Sequence, residues 1–450
     1  MANKKFAVIG GVAAGMSAAS QAKRLAPDLE VVAFERGDFV SYASCGIPYY
    51  LSELVKDPKN LIAVTPEQFW EKRGIDVRLR HQVESISPDG KIITVVDIDK
   101  KKKFDFRYDK LAVCTGAVPI KLNVPGINAE NVFYLRNLQE GLRLMSFLKD
   151  QTPQKAVIVG AGYVGLELAE SFRARGMVVT IITHSDSIMN NLEPEIAKVV
   201  EEELTRNGAV LKKNTKLVEL EKSNGIVKKV ITTDGEIDVD MVLISVGIRP
   251  NVELAESAGI KIGKTGAISV NERMETNIPD IYSAGDCAET YHRVTGKPTW
   301  IPLGDTANKM GRVAGANAAG MNETFPGIVG SAVAKVFDLA VARTGLSLLE
   351  ALKHGFNASS HTISEKSRAH YYPGGKPITI TLVFDTVTQR LLGAQMVGAD
   401  GVAKRNDVLA TAITAGMTLR DIENLDLCYA PPYSPVYDPI LVAARQARKS

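Results

Sequence analysis

Short runs of apolar and β-branched residues alternate with longer stretches of helical pattern through the first two thirds of the chain. Alternation of this kind predicts α/β domains built on parallel sheets. The chain has 450 residues, and at roughly 150 residues per domain we expect about three domains. Two of the strand–helix units carry a Gly-rich turn, and these turns contain the first candidate chemistry.

The first Gly-rich unit runs as a strand at 6–9, a turn at 10–15, a helix at about 16–25 and a second strand at 30–34. The glycines allow a tight turn and a close approach of the backbone to a pyrophosphate, which the free N–H groups of a helix N-terminus attract. Glu35 follows the second strand, where a carboxylate suits a ribose diol. One departure from G-x-G-x-x-G is visible, because Val12 replaces the middle glycine.

The second unit has a strand at 156–159, a complete G-x-G-x-x-G at 160–165, a helix through Ser171 and a second strand at 178–182. In this context the motif predicts a second dinucleotide site. Its second strand ends at Thr183-His184 instead of an acidic residue. NADH, NADPH and the use of both therefore stay open.

Composition and charge exclude several classes of function. Lys+Arg number 54 against 51 Asp+Glu, a net charge of +3, which gives no electrostatic reason to expect a nucleic-acid or membrane partner. No apolar stretch approaches the roughly 18–20 residues of a membrane span. Lys4-Lys5 and the apolar residues 6–19 resemble a signal peptide, but a Gly pair interrupts them, and we expect the segment to be retained.

The four cysteines, Cys45, Cys114, Cys287 and Cys428, are widely scattered. They form neither a disulfide framework nor a zinc-binding spacing, and this pattern favours a reducing compartment. We expect a cytoplasmic protein.

A third landmark lies at 276–286, with the pattern T-N-x-P-x-I-Y-x-x-G-D. It resembles the second FAD motif of the pyridine nucleotide–disulfide oxidoreductases. The resemblance implies that Asp286 hydrogen-bonds the ribityl chain of the flavin. Residues 114–117 similarly resemble the segment in which that family crosses from the FAD domain to the NAD domain.

This resemblance covers essentially the whole chain and implies an α/β fold with two Rossmann-like domains and a C-terminal α+β dimerisation domain. The implied limits are 1–115 and 251–324 for the two parts of the FAD domain, 116–250 for the NAD(P)H domain and 325–450 for the interface domain. The residues expected at FAD and NAD(P)H are Gly10, Gly11, Ala13, Ala14, Gly15, Glu35, Thr115, Gly116, Gly160, Gly162, Tyr163, Gly165, Gly285 and Asp286.

Cys45 is the candidate redox residue. A lone cysteine is commonly a small buried hydrophobe, but Cys45 precedes an expected helix start, where a thiol pKa is lowered. No second cysteine forms a C-x-x-C or C-x4-C pair with it. The segment resembles the single-cysteine branch of the family, which contains coenzyme A-disulfide reductases, NAD(P)H-dependent persulfide or sulfur reductases, and NADH oxidases and peroxidases.

Ala13 helps to separate these activities. NADH oxidases and peroxidases of the branch carry a catalytic histidine at the matching position, and alanine has no acid–base chemistry. We therefore expect reduction of coenzyme A (CoA) disulfide, CoA persulfide or polysulfide, with an oxidase or peroxidase that uses a Cys45 sulfenate as the alternative. A flavin-bound redox sensor or a ferredoxin-type electron-transfer partner is a more distant alternative. The sequence does not rank the sulfur substrates, nor does it decide whether CoA is a substrate or a retained cofactor.

The C-terminal region resembles the interface domain through which two subunits of the family share their active sites. The resemblance implies a homodimer in which Tyr371 and Tyr429 approach the redox cysteine of the partner. A phenol can donate a proton to a departing thiolate. The residues expected at CoA are Gln21, Lys23, Arg24, Ser41, Ser44, Lys404 and Arg405. We expect no rhodanese module of the kind that some persulfide reductases of the branch carry.

Overall fold

A computed structural model describes residues 4–449. Up to residue 115, the strands are β1 (Lys5–Ile9), β2 (Glu30–Glu35), β3 (Ile75–Leu79), β4 (His81–Ser87), β5 (Ile92–Asp97), β6 (Lys102–Arg107) and β7 (Lys110–Val113). The α-helices are α1 (Ala13–Leu25), α2 (Ile47–Leu51) and α3 (Pro66–Arg73). Helix α1 thus begins three residues before the start expected from the sequence.

Between residues 116 and 250, the strands are β8 (Ala117–Pro119), β9 (Val132–Phe133), β10 (Lys155–Val159), β11 (Val178–Ile182), β12 (Val210–Lys212), β13 (Leu217–Ser223), β14 (Ile226–Thr232), β15 (Gly235–Asp238), β16 (Met241–Ile244) and β17 (Ile248–Pro250). The helices are α4 (Leu138–Gln151), α5 (Tyr163–Ala174) and α6 (Pro194–Arg206).

Beyond residue 250, the strands are β18 (Ile281–Ser283), β19 (Thr290–His292), β20 (Lys297–Thr299), β21 (Ala332–Val336), β22 (Leu339–Gly345), β23 (Ala358–Lys366), β24 (Pro377–Asp385) and β25 (Leu391–Gly398). The helices are α7 (Glu253–Ser257), α8 (Gly304–Ala318), α9 (Leu348–Lys353), α10 (Val402–Ala415), α11 (Leu419–Glu423) and α12 (Pro439–Ala447).

Three five-stranded sheets organise these elements. The first has the order β18-β7-β1-β2-β3 and the second β12-β11-β10-β16-β9, and both are parallel. The third, β21-β22-β25-β24-β23, is antiparallel. Strand β18 completes the first sheet although the whole second sheet lies between β7 and β18 in sequence. The predicted α/β fold is confirmed; the individual domain limits stay predictions.

The two parallel sheets repeat the same local geometry. Ile9 pairs with Phe34 in the first sheet, and Val159 pairs with Ile182 in the second. In each case the N–H of the next residue, Gly10 or Gly160, donates to the carbonyl of the partner at 2.9 Å. Residues that follow Phe34 and Ile182 are therefore structural counterparts.

Helix α2 contacts residues from outside the first sheet. Its buried residues Ile47 and Leu51 belong to a core that includes Leu144 of α4, Phe172 of α5 and Val341 of β22. The Ser171 hydroxyl donates to the Pro48 carbonyl at 2.9 Å. This packing fixes the start of α2, and therefore Cys45, against the second sheet.

No helix in residues 4–449 is both long and apolar enough to cross a membrane. The same residues contain no cluster of three or more His, Cys, Asp or Glu side chains that could hold a metal ion.

Candidate active site

A cavity of about 2330 Å³ connects the two Gly-rich turns with the segment around Cys45. The predicted cofactor residues on its wall are Gly10, Gly11, Ala13, Ala14, Gly15, Glu35, Thr115, Gly116, Gly160, Gly162, Tyr163, Gly285 and Asp286. Ser44 and Cys45 also line it. Gly165 lies behind the wall, where a Cβ atom would clash with the carbonyl of Gly160. The fold thus brings residues from three distant parts of the sequence to one cavity.

The first Gly-rich turn is held by Glu35. One carboxylate oxygen accepts from the N–H of Gly11 and the other from the N–H of Gly37, each at 2.7 Å. Gly10 has a φ of +109°, and a Cβ there would clash with the Cys114 carbonyl. The turn therefore brings backbone close to the cavity, as a pyrophosphate site requires. A carboxylate, a helix N-terminus without a side-chain cap and a bare backbone together suit FAD.

The second Gly-rich turn opens onto the same cavity. Gly160 has a φ of +111°, and a Cβ there would clash with the Ser245 carbonyl. At Gly162, by contrast, a Cβ would have no neighbour within 4 Å, so its backbone faces open space. Tyr163 follows at the start of α5, and burial raises the pKa of its phenol. This turn suits the pyrophosphate of NAD(P)H.

Asp286 is engaged by a residue that the sequence did not indicate. Nη2 of Arg136 donates to Oδ2 of Asp286 at 2.6 Å, and its Nε donates to the Ala117 carbonyl at 3.1 Å. The Asp286 carbonyl accepts from Trp300 Nε1 at 2.8 Å. Arg136 precedes α4 and carries no motif, so only the fold reveals its position beside the predicted flavin ligand.

Cys45 lies in a 3-10 turn, Ser44–Gly46, directly before α2. Its side chain is exposed on the cavity wall. Cys114 also lines the cavity, but its thiol is buried, and burial holds its pKa well above the ordinary value. Among the cysteines on this wall, Cys45 is the accessible one.

The expected lowering of the Cys45 pKa is wrong. The protein atoms around the cavity partly desolvate the exposed thiol and raise its pKa, and the charge of Glu167 raises it further, while Arg136 lowers it by a smaller amount. Helix α2 has only five residues, so its dipole is too short to outweigh desolvation. Formation of the Cys45 thiolate therefore depends on the charges of Glu167 and Arg136 and on the atoms that surround the thiol.

Glu167 is a second cavity residue that sequence reasoning missed. It lies on α5, one turn before the Ser171 that anchors α2. Burial and then the charge of Glu170 raise the pKa of its carboxyl to about 7. Its carboxylate makes no hydrogen bond or ion pair with any residue in the 4–449 range. A half-buried acid that titrates near neutrality therefore faces the same cavity as Cys45.

The CoA residues predicted on α1 lie outside the cavity wall. Arg24 is exposed and donates to Oε1 of Gln21 at 2.9 Å. Lys23 instead donates to the carbonyls of Pro27 and Leu29 at 2.7 and 2.9 Å, at the end of the helix. Its ammonium is thus committed to the protein, whereas Arg24 is available to an anion.

A further cation lies on the same helix face. Arg73 of α3 is exposed and donates to the Ser20 hydroxyl at 2.7 Å. Nothing in the local sequence around Arg73 indicates this position, because α1 and α3 meet only in the folded chain.

Ser41 has a φ of +49° and lies next to the first turn, where its N–H donates to the Gly11 carbonyl at 2.8 Å.

The structure places Arg405 differently from the sequence-based expectation. The residue is buried, and its guanidinium bonds both carboxylate oxygens of Asp438 at 2.9 and 3.1 Å and the Ser367 carbonyl at 3.0 Å. Arg405 therefore forms a buried ion pair with Asp438. Its neighbour Lys404, by contrast, is exposed and bonds Asp407 at 3.0 Å. The guanidinium of Arg405 is therefore not available to a phosphate, contrary to the prediction.

Tyr371 and Tyr429 lie together on the surface of the C-terminal region, outside the cavity wall. They are 64% and 48% exposed. A hydrogen bond that the Tyr429 hydroxyl donates to Tyr371 stabilises the protonated phenol and raises the pKa of Tyr429. Tyr433, Val436 and Tyr437 are exposed nearby in sequence, and apolar clusters of this kind mark interaction surfaces.

Two family models match the chain. The pyridine nucleotide-disulphide oxidoreductase model covers residues 4–319, and the model of the dimerisation domain of the same group covers residues 331–439.

Similar proteins align over almost the full length. An NAD(P)H coenzyme A polysulfide/persulfide reductase of Pyrococcus horikoshii is 41% identical, with 98% of each chain covered. A protein of Methanocaldococcus jannaschii named NADH oxidase is 35% identical, again over 98% of each chain. The solved structure of an NAD-dependent persulfide reductase from A. fulgidus has a TM-score of 0.95 and 39% identity, and the match covers 98% of this chain and 82% of that one.

Proposed function

The chain belongs to the pyridine nucleotide-disulphide oxidoreductase family, and we propose that it reduces a sulfur–sulfur bond of CoA disulfide, CoA persulfide or polysulfide with electrons from NAD(P)H, through FAD and Cys45. One observation carries the proposal. An accessible thiol, Cys45, lies on the wall of the cavity that both dinucleotide-binding turns share.

The proposed reaction begins with the Cys45 thiolate, which attacks one sulfur of the substrate. The attacked S–S bond breaks, the departing sulfur takes a proton, and Cys45 is left in a mixed disulfide with the retained thiol. FAD, when bound, relays the two electrons of NAD(P)H that cleave this mixed disulfide. Cleavage returns the Cys45 thiolate and releases the second thiol, which also takes a proton.

The residues of the first turn hold FAD in this proposal. Glu35 and the N–H groups at the start of α1 bind its ribose and pyrophosphate, and Asp286 binds the ribityl chain. The second turn, with Gly160 and Gly162, holds the pyrophosphate of NAD(P)H. Tyr163, at the start of α5, borders that site.

Two copies of the chain complete the site. Tyr371 and Tyr429 are exposed and do not line the cavity of their own chain. In the proposed homodimer they reach Cys45 of the partner subunit and donate protons to the departing sulfur. The exposed aromatic surface around Tyr433 and Tyr437 becomes part of the interface.

The CoA chain is proposed to follow the outer face of α1 into the cavity. Arg24 and Arg73 offer unburied guanidinium groups to its phosphates. Gln21, Ser41 and Ser44 offer hydrogen-bonding groups along this route, and Lys404 of the C-terminal region supplies a further exposed cation. Lys23 is a weaker candidate because carbonyl groups already occupy its ammonium.

The alternative is an NADH oxidase or peroxidase in which Cys45 cycles through a sulfenate. Ala13 lines the cavity beside the first turn and has no group that can protonate a departing oxygen. The alternative predicts turnover with oxygen or peroxide alone. The sulfur proposal predicts turnover that requires a disulfide, persulfide or polysulfide.

Anaerobic turnover of NADPH and NADH with CoA disulfide tests the proposal. Replacement Cys45→Ser should abolish turnover while the variant retains FAD, because the nucleophile is lost and the dinucleotide turns are intact. Cys428→Ser, which removes another exposed thiol, is the matched control. More than a few per cent of wild-type turnover in Cys45→Ser would reject the assignment.

Two further features belong to the proposal. The FAD domain consists of residues 1–115 and 251–324, interrupted by an NAD(P)H domain at 116–250 and followed by an interface domain at 325–450. The reaction takes place in the cytoplasm, where free thiols such as the four cysteines of this chain are maintained.

A further inference from the structure

The register of the two parallel sheets makes Thr183 the counterpart of Glu35. Glu35 follows Phe34 at the end of β2, and Thr183 follows Ile182 at the end of β11. A carboxylate at this position binds the 2′-hydroxyl of an adenosine ribose and repels a 2′-phosphate. Thr183 is neutral, and its hydroxyl accepts from the N–H of Ser185 at 3.3 Å. The second dinucleotide site therefore lacks the group that excludes NADPH.

Hydrogen bonds hold a neighbouring loop, residues 213–216, beside Thr183. The N–H of Thr183 donates to the Lys212 carbonyl at 3.0 Å, and the Thr183 carbonyl accepts from Thr215 N–H at 2.8 Å. The carbonyl of Ser185 accepts from Asn214 N–H at 3.0 Å. These three bonds hold the segment after β12 beside the end of β11.

This arrangement brings two side chains that can bind a phosphate, those of His184 and Lys216, to the cavity. His184 and Lys216 both line the cavity and are exposed to it. Asp186, on the same loop as His184, is not part of the cavity wall. The wall residues that these two loops contribute are thus basic or neutral, which suits a phosphate group.

The pairing of the three lysines in and next to this loop singles out Lys216. Lys212 bonds Asp234 at 2.7 Å, and Lys213 bonds Glu201 at 2.8 Å. The ammonium of Lys216 has no carboxylate partner in the part of the chain that the structure describes. Of the three, it is the lysine whose charge is available to a ligand.

We propose that His184 and Lys216 bind the 2′-phosphate of NADPH, and that Thr183 admits this phosphate by its lack of charge. The chain then prefers NADPH to NADH. The inference rests on the proposed function only in that a nicotinamide dinucleotide is the electron donor, and it selects between the two donors that the sequence left open.

Calorimetric titration of the FAD-loaded protein with 2′,5′-ADP and with 5′-AMP tests the inference without any turnover. These probes share the adenosine and differ by the 2′-phosphate. We expect 2′,5′-ADP to bind at least about tenfold more tightly, as one charge-assisted contact would provide. Equal affinities would overturn the proposal.

Variants locate the effect. Lys216→Ala should weaken 2′,5′-ADP by about tenfold and leave 5′-AMP unchanged, whereas Lys213→Ala, which removes the same charge from the same loop, should change neither. Thr183→Glu should reverse the preference. Equal weakening of both probes in Lys216→Ala, or an unchanged preference in Thr183→Glu, would contradict the assignment. Loss of disulfide turnover, by contrast, would reject the proposed reaction and leave these binding results standing.

Discussion

Arg136 and Asp286 form an ion pair, with Nη2 of the arginine 2.6 Å from Oδ2 of the aspartate. The two residues are separated by 150 positions in sequence. Both line the cavity, where the arginine side chain is 29% and the aspartate side chain 17% exposed. The pair orients the carboxylate that is proposed to hold the ribityl chain, and it joins the segment before α4 to the segment after β18.

Asp286→Ala should lose most of its FAD, because the ribityl hydroxyls lose their acceptor and Arg136 is left without its partner. The ratio of flavin absorbance to protein absorbance after gel filtration measures this loss. Asp280→Ala is the control, since Asp280 belongs to the same sequence motif but pairs with Lys91 and Lys110 away from the cavity. Full flavin content in Asp286→Ala would contradict the assigned role.

Glu167→Gln should make Cys45 more reactive at neutral and alkaline pH. Glu167 titrates at about 7, so above that pH its negative charge disfavours the Cys45 thiolate, and below it the charge is absent. The variant removes this charge, and we expect alkylation of Cys45 by iodoacetamide to accelerate by roughly three- to tenfold at pH 8 and by much less at pH 6.

Glu170→Gln provides the matched comparison for that experiment. Glu170 raises the pKa of Glu167, and its own carboxylate is bonded to Lys335 and to the N–H of Phe337. Removal of the Glu170 charge should lower the pKa of Glu167. The pH above which Glu167 slows the alkylation of Cys45 should therefore fall as well. Identical alkylation profiles in wild type and Glu167→Gln would show that Glu167 does not influence the cysteine.

Tyr371→Phe and Tyr429→Phe should each lower turnover with CoA disulfide by about 10²-fold, the scale of a lost general acid. Reduction of FAD by NADPH should stay unchanged, because the tyrosines are proposed to act on the sulfur side of the reaction. Stopped-flow absorbance separates the two half-reactions. Tyr437→Phe, another exposed tyrosine of the same region, should retain wild-type turnover; equal loss in all three variants would indicate a general effect on the interface.

Arg405→Ala should destabilise the protein by about 3–5 kcal/mol, since it leaves Asp438 as an unpaired buried charge. Lys404→Ala should change the stability by less than about 0.5 kcal/mol, because its pair with Asp407 is exposed. Urea unfolding followed by circular dichroism compares the two adjacent variants. A stable Arg405→Ala protein with weakened CoA binding would restore the role that the structure removes from Arg405.

The features that the sequence predicts well are local ones. Gly10 to Gly15 and Gly160 to Gly165 lie in short turns between a strand and a helix, so spacing alone predicts them as candidate dinucleotide sites, and that role stays a prediction. Cys45 also follows from local sequence and family resemblance. The same is true of the α/β fold, because strand and helix periods persist over whole elements.

The features that the sequence does not reveal depend on contacts between distant segments. Glu167 and Arg73 reach their positions only when helices from different parts of the chain pack together, and Arg136 reaches Asp286 only when the segments before α4 and after β18 meet. The error at Arg405 has the same origin: adjacency to Lys404 suggests a shared exposed face, but successive helical residues point about 100° apart. Arg405 consequently faces Asp438, 33 positions away.

Mass spectrometry of the protein after incubation with CoA disulfide, with peptide mapping before and after dithiothreitol, tests the central claim most directly. The account predicts one CoA thiol bound to Cys45 through a disulfide, absent from Cys428, and released on reduction. Cys45 found unmodified, or oxidised to a sulfenate without CoA, would contradict the account and favour oxygen or peroxide as the electron acceptor.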